Sequence, residues 1–483
     1  MNNQYDENTI IQFIKKNREM TALLLLFTII VAINTPRLFS NLFWGDECYT
    51  IISTWSYDNF INMGLGDRAA NPPLYYTMIY CFSSLFGSSP FVYHLFSFIA
   101  EILILIVAIT MIRKYFGFGT ALIFMILCSF LDNSLGNMME ARSYEWCALF
   151  ILMVFLFLYK ILKEHKTTDY LLFTLFSLLA AYTHYYSLLV VSFFYLVLLI
   201  ESFGSSSKKK WFLITLVLSV GAYLPWVLYV YNASIKAANG FWIADVPLIS
   251  DCILYTMSSD FSIVLSGVLI VSTAFAIYYS FKGKEQRKTE GTWLVAGSLS
   301  YLGTMVVAIL FSLLIRPLLI VRYVYPLSVI GWLLLSYSIM NVWNDNYKKK
   351  APTVFVALLV LFIAIPGFAD TAITENSMEK ETNETLSALS CISSDDYMVT
   401  DNIHFNWTVF DYYLPEPHHY DYTIDPCNLP LLDPSLQYYL IISEKMNGSI
   451  ETELTKQGYS YETMVENGRI DIYPLNAYKL IKL

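Results

Sequence analysis

An aspartate and a glutamate stand side by side at Asp46-Glu47, within the stretch FWGDECYT that begins at Phe43. A carboxylate at a binding cleft can act as a general base, taking the proton from a hydroxyl as that hydroxyl attacks. Its neighbour can hold a divalent cation or an acceptor, or be one more solvated acid. Asn71-Pro72-Pro73 then fixes a turn by removing backbone freedom, and Leu74-Tyr75-Tyr76 follows with two aromatic anchors. Three further clusters come later: Glu140-Ala141-Arg142-Ser143-Tyr144-Glu145, Thr183-His184-Tyr185-Tyr186, and Arg316-Pro317 with Arg322-Tyr323-Val324-Tyr325-Pro326. Arginine grips phosphate through paired N–H donors, which makes Arg142, Arg316 and Arg322 candidate phosphate ligands. Arg142 can equally pair with Asp46 or Glu47, or close a local ion pair with Glu140 or Glu145. His184 and Tyr185 can line a sugar site or snorkel at a membrane surface.

The elements that must position these residues are membrane helices. A 483-residue chain that is 56% hydrophobic and 14% charged is not an ordinary soluble protein. Its mean hydropathy is +0.50. Apolar runs at 20–38, 90–112, 119–136, 145–162, 170–184, 187–203, 210–230, 260–281, 292–315, 320–343 and 352–369 predict about eleven transmembrane helices. The run 74–87 is short for a span and is read as lying at the interface, because this choice best sorts the cations. With it, 18 of the 30 lysines and arginines fall cytoplasmic and six fall in the C-terminal domain. The remaining six, Arg37, Arg68, Arg142, Lys236, Arg316 and Arg322, fall outside. The catalytic candidates therefore share the outer face. Within the second span, His94 and Glu101 sit seven residues apart on one helix face and read as a structural polar pair.

The expected organisation is a cytoplasmic tail (1–19), a transmembrane domain (20–369, with an outer catalytic loop at 39–89) and an extracytoplasmic C-terminal domain (370–483). In the last, Tyr397–Thr400, Tyr438–Ile442 and Ile470–Tyr473 read as strands of a small α/β domain. The net charge of -9 argues against nucleic acid as a partner. The seven cysteines have no metal-type spacing, and Cys391 and Cys427 are the one pair placed to bridge. No glycine-rich phosphate loop is present, so no nucleotide is called for.

The order GDE, NPPLYY, EARSY, THYYS and RYVYP resembles the C-type membrane glycosyltransferases, over roughly residues 20–345. The similarity is to the bacterial branch of the protein O-mannosyltransferase and lipid A aminoarabinose-transferase group. That resemblance implies an inverting transfer of a sugar from a polyprenyl-phosphate carrier to a lipid, glycan or protein acceptor outside the cytoplasm. It makes Asp46 the base and sets Glu47 beside it for acceptor or donor contacts. Arg142 and Tyr144 match the second outer motif, Arg322 and Tyr323 the late motif at the carrier phosphate, and His184 and Tyr185 the cavity lining. The chain departs from the group where Asn71 replaces a His or Lys before the double proline, and where His94 stands for an arginine. Arg68 or Lys236 are then substitutes at the phosphate. The resemblance settles no cofactor, though a divalent cation near Asp46 and Glu47 fits the chemistry. It also implies a multi-pass protein of the cell membrane, with the site and the C-terminus extracytoplasmic.

Two other readings compete. A ligase or polymerase of lipid-linked glycans would favour a large basic acceptor loop, and the loop at 231–259 is modest and poorly charged. A transporter or flippase predicts internal repeats and helices broken at mid-membrane, whereas here the polar residues gather at one face.

Overall fold

Prolines and glycines set several of the boundaries. Pro73 and Pro90 open helices at Pro73–Phe86 and Pro90–Val107, where a missing N–H costs nothing. Gly87 and Gly117 close the first of these and the Arg113–Phe116 turn that ends the second, at φ of 95° and 91°. The computed structural model describes residues 17–59, 61–62, 71–236, 245–258, 261–282, 285–315, 317–344, 351–402, 405–414, 419–423, 427 and 429–483.

Among these residues, eight helices are long and apolar enough to cross a membrane. They are Arg18–Phe39, Pro90–Phe116, Tyr144–Glu164, Tyr185–Ser202, Ser206–Tyr229, Ser262–Lys282, Lys288–Leu314 and Val321–Asn341. The expected count of about eleven is larger because three stretches are helical but do not meet that measure. Phe118–Phe130 has 13 residues and Thr167–Thr183 has 17, while the expected last span lies inside a single 39-residue helix, Ala351–Leu389. The Pro73–Phe86 helix, at 14 residues, is too short to span, as is Gly45–Ser56 at 12. The helices Tyr144–Glu164 and Val321–Asn341 form the centre, 83% and 89% buried, against 22% for Arg18–Phe39. Their core is aromatic: Trp293 stacks on Phe155 at 4.4 Å and on Phe116 at 4.6 Å.

The long Ala351–Leu389 helix continues without a break through residue 370 into the C-terminal part. There a five-stranded sheet has the order β2-β1-β3-β5-β4, with β1 (Tyr397–Thr400), β2 (His419–Tyr422), β3 (Tyr438–Ile442), β4 (Tyr459–Ile470) and β5 (Tyr473–Lys482). β1 runs parallel to β2 and β3, and β5 runs antiparallel to β3 and β4. Two of the three expected strands are β1 and β3. The third, Ile470–Tyr473, is instead the turn of the β4–β5 hairpin, where Asp471 adopts φ 51°. One sheet face packs on Leu389, Phe405 and Phe410, with Trp44 of the first loop against the same cluster. The other face buries Ile450 and Leu454 of the Gly448–Lys456 helix. Cys391 and Cys427 are both exposed, and no disulfide joins this one pair placed to bridge.

His94 and Glu101 share a helix but do not pair. His94 bonds through Nδ1 with the Met139 carbonyl at 2.8 Å and through Nε2 with the Ser40 carbonyl at 3.2 Å. Glu101 accepts from Ser129 Oγ at 2.8 Å. Each bonds to a different neighbouring segment, which same-face spacing does not predict.

Candidate active site

Asp46 and Glu47 occupy the first turn of the Gly45–Ser56 helix, where the positive end of the helix dipole favours acids. Successive helical side chains diverge by about 100°, and here that divergence separates the two carboxylates.

Asp46 turns toward two arginines. Its Oδ2 lies 2.7 Å from Arg322 Nη2 and 3.6 Å from Arg142 Nη2. Arg142 Nη1 reaches the Asp46 carbonyl and Thr50 Oγ1, each at 3.2 Å, and the Tyr76 hydroxyl at 3.4 Å. The Arg322 guanidinium lies over the Trp44 ring at 4.5 Å, and Arg142 lies over Tyr144 at 6.0 Å. Burial differs across the group: the Arg142 side chain is 9% exposed, while Asp46 at 30% opens to the surface. Arg142 Nε, Arg322 Nε and the Tyr144 hydroxyl are buried without a hydrogen-bond partner. Three donors lacking acceptors thus lie on the two arginines that pair with Asp46 and on the tyrosine beneath Arg142, an arrangement that a second anion would satisfy.

Glu47 turns the other way and is buried. Its Oε1 accepts from the Ala141 N–H at 2.6 Å and its Oε2 from the Trp44 N–H at 3.2 Å. The second bond is the glutamate half of a capping box. Burial pushes its pKa well above the usual carboxylate range, and the nearby Glu140 and Asp471 push it further. Burial likewise raises Glu140 to about 7, with Arg142 and Arg322 pulling against it, and Asp471 to about 7, opposed by Arg469. A cavity of about 180 Å³ opens on this side, lined in part by Arg37, Glu47, Glu140, Glu375 and Asp471. Arg37 is committed there, holding Glu375 through Nε at 2.8 Å and Nη2 at 2.5 Å. Because the two carboxylates face apart, they do not form one cation site. Among the described residues no three histidines, cysteines or acids are grouped to hold a metal.

The remaining sequence candidates divide. Asn71 Nδ2 donates to the Tyr76 hydroxyl at 3.0 Å, which places Asn71 behind the tyrosine that meets Arg142. His184 packs between Tyr144 (5.7 Å) and Tyr323 (5.5 Å), and Tyr186 joins them 5.7 Å from Tyr323. Tyr185 points elsewhere, into a cluster with Tyr223 and Trp226. Arg68, Arg316 and the Lys236 side chain lie outside the described residues. Trp44, Thr50, Tyr76, Tyr186 and Glu140 join the site without having been assigned a site role from sequence, although all five lie inside the stretches already quoted.

Comparison with known proteins now adds to this geometry. Residues 70–229 match the family model for dolichyl-phosphate-mannose-protein mannosyltransferase. Among curated proteins none matches the sequence. In fold, the chain is similar to ArnT from Cupriavidus metallidurans in the apo state, with TM-score 0.62 and 10% identity over 95% of this chain and 98% of that one. It is also similar to the same protein bound to undecaprenyl phosphate, with TM-score 0.60, 12% identity and the same shares of the two chains. The archaeal oligosaccharyltransferase AglB from Archaeoglobus fulgidus matches at TM-score 0.50 and 13% identity, over 83% of this chain and 64% of that one. The chain thus has the C-type glycosyltransferase fold that its motifs resemble.

Proposed function

We propose that this protein, on the C-type membrane glycosyltransferase fold, transfers a sugar from a polyprenyl-phosphate carrier to an acceptor hydroxyl with inversion. The observation that carries the reading is the Asp46 carboxylate held between Arg322 and Arg142, with unpaired buried donors around it. A carrier phosphate is the anion those donors suit, since its oxygens accept the paired N–H groups of arginine.

A phosphate settling on Arg322 and Arg142 displaces the Asp46 carboxylate and frees it. The acceptor hydroxyl then attacks the anomeric carbon from the face opposite the phosphate. Its proton passes to Asp46 as the new C–O bond forms, and the bond to the phosphate oxygen breaks with its electron pair. The carrier phosphate leaves with that charge spread over the two guanidinium groups. Tyr144, His184, Tyr186 and Tyr323 offer ring faces to a sugar beside the arginines. The carrier's tail stays in the bilayer throughout. The cation asymmetry of the loops supports a site and a C-terminal domain on the extracytoplasmic side of the cell membrane.

The test is sugar release from a panel of polyprenyl-phosphate sugars by purified protein and by Asp46→Asn. Turnover in the native chain, lost in the variant while carrier binding persists, is the expected result. If no donor is consumed and lipid-linked sugar crosses the membrane regardless of Asp46, the molecule is a transporter and the assignment falls. Transfer of whole glycans in preference to single sugars would identify a ligase.

A further inference from the structure

We infer that the C-terminal domain is a working part of this site, with Tyr473, Thr408 and Tyr413 as positioning residues for the segment that carries Asp46. The inference rests on the transfer reading above. Three hydroxyls from the C-terminal part reach back across more than 360 positions to the backbone of residues 41–45. The Gly45 N–H donates to the Tyr473 hydroxyl at 3.0 Å, and Thr408 Oγ1 donates to the Gly45 carbonyl at 3.0 Å. The Phe43 N–H donates to the Tyr413 hydroxyl at 2.6 Å. That hydroxyl has one proton to give, to the Asn41 carbonyl at 3.0 Å or the Phe43 carbonyl at 3.2 Å.

The chemistry of Gly45 makes these bonds consequential. As the first residue of its helix, Gly45 has an N–H with no partner inside the helix, and Tyr473 supplies one away from water. With both its N–H and its carbonyl gripped, the peptide units on either side of Gly45 cannot rotate freely. Asp46 is attached to the second of them. Trp44 closes the arrangement, because one part of it meets the domain's Phe405 and Phe410 cluster while its ring lies under Arg322. The domain therefore touches, through single residues, both the base and one of its arginine partners. Packing alone would hold the two parts together without hydroxyls; the hydroxyls fix orientation.

The variants Tyr473→Phe and Thr408→Val each delete the hydroxyl that bonds Gly45 and keep the shape of the side chain. Each is expected to lower kcat by about tenfold, the effect of orphaning one buried polar partner, while carrier-phosphate binding moves by less than about twofold. Thr408→Ser, which keeps the hydroxyl, should restore kcat. Hydrogen exchange at the Gly45 and Asp46 amides should speed up in both deletion variants, whether or not turnover is measured. Native kcat in Tyr473→Phe and Thr408→Val, with a native protein that turns over, overturns the inference. So does a fall in kcat that follows melting temperature and is not restored by Thr408→Ser. If the native chain transfers no sugar, the transfer reading fails by itself, and unchanged exchange at Gly45 then removes the anchoring as well.

Discussion

Asp46 and Glu47 are neighbours in sequence and strangers in environment. Asp46 faces Arg322 and Arg142 and is partly open, whereas Glu47 is buried, held by two backbone N–H groups and near Glu140 and Asp471. On the proposed function, the first carboxylate exchanges with another anion. The other is a structural acceptor that ties the Gly45–Ser56 helix to the Ala141 turn. An adjacent acid pair is thus two separate devices, and the helical turn between them does the separating.

The largest expected effect tests that division directly. Asp46→Asn should lower transfer by about 10³-fold, the scale of losing a general base. Glu47→Gln keeps size and can still accept from Ala141, so it should cost less than about tenfold, seen mainly as lost helix anchoring. Equal losses in kcat for the two would break the comparison. Next in size, Arg322→Lys keeps the charge but loses the planar fork, and kcat/KM should fall by about 10- to 100-fold with weaker carrier binding.

A smaller effect sharpens the Glu47 side. Glu140 has its pKa raised from 4.5 to about 7, and Asp471 from 3.8 to about 7. The folded state therefore holds protons that the unfolded state has already released, and stability should fall as pH rises across that window and level off above it. Glu140→Gln cannot ionise, so its melting temperature should drop less between pH 5 and pH 8 than the native value, by about 1–2 °C. A steeper drop in the variant would show that the acid is stabilised by ionisation. Smallest of all, Tyr185→Phe should change kcat by less than about twofold, because that ring sits with Tyr223 and Trp226 rather than at the arginines.

What the sequence made legible was residue type and the grouping of motifs. The scarcity of arginines in the loops read as outer marked Arg142 and Arg322, and the structure sets both within reach of Asp46 although Arg322 is 276 positions away. Apolar runs located the eight long helices and the three that do not meet the length and composition of a span, but not the short Ile249–Thr256 and Gly448–Lys456 helices. Direction was not legible. That Glu47 turns inward and Tyr185 sideways depends on what packs against each helix, which no local pattern encodes. Least legible were Thr408, Tyr413 and Tyr473. A hydroxyl bonded to a backbone group hundreds of residues away carries no motif, and the β4–β5 turn that places Tyr473 reads from sequence as a strand.

The Ala351–Leu389 helix carries a further consequence. It is 39 residues of continuous helix leading into the sheet, and its Thr382 and Thr385 hydroxyls receive the Asp471 and Arg469 N–H groups at 2.9 and 3.1 Å. Glu375 on the same helix is clamped by Arg37. Adding one residue between Glu375 and Thr382 would advance the sheet by about 1.5 Å and swing it by about 100°. Tyr473 would then leave Gly45 altogether, and adding a full heptad would restore the angle but not the height. The spacing along this helix is thus a phase as well as a length, and insertions tolerated in the domain's surface loops should be lethal to the site when made in this rod.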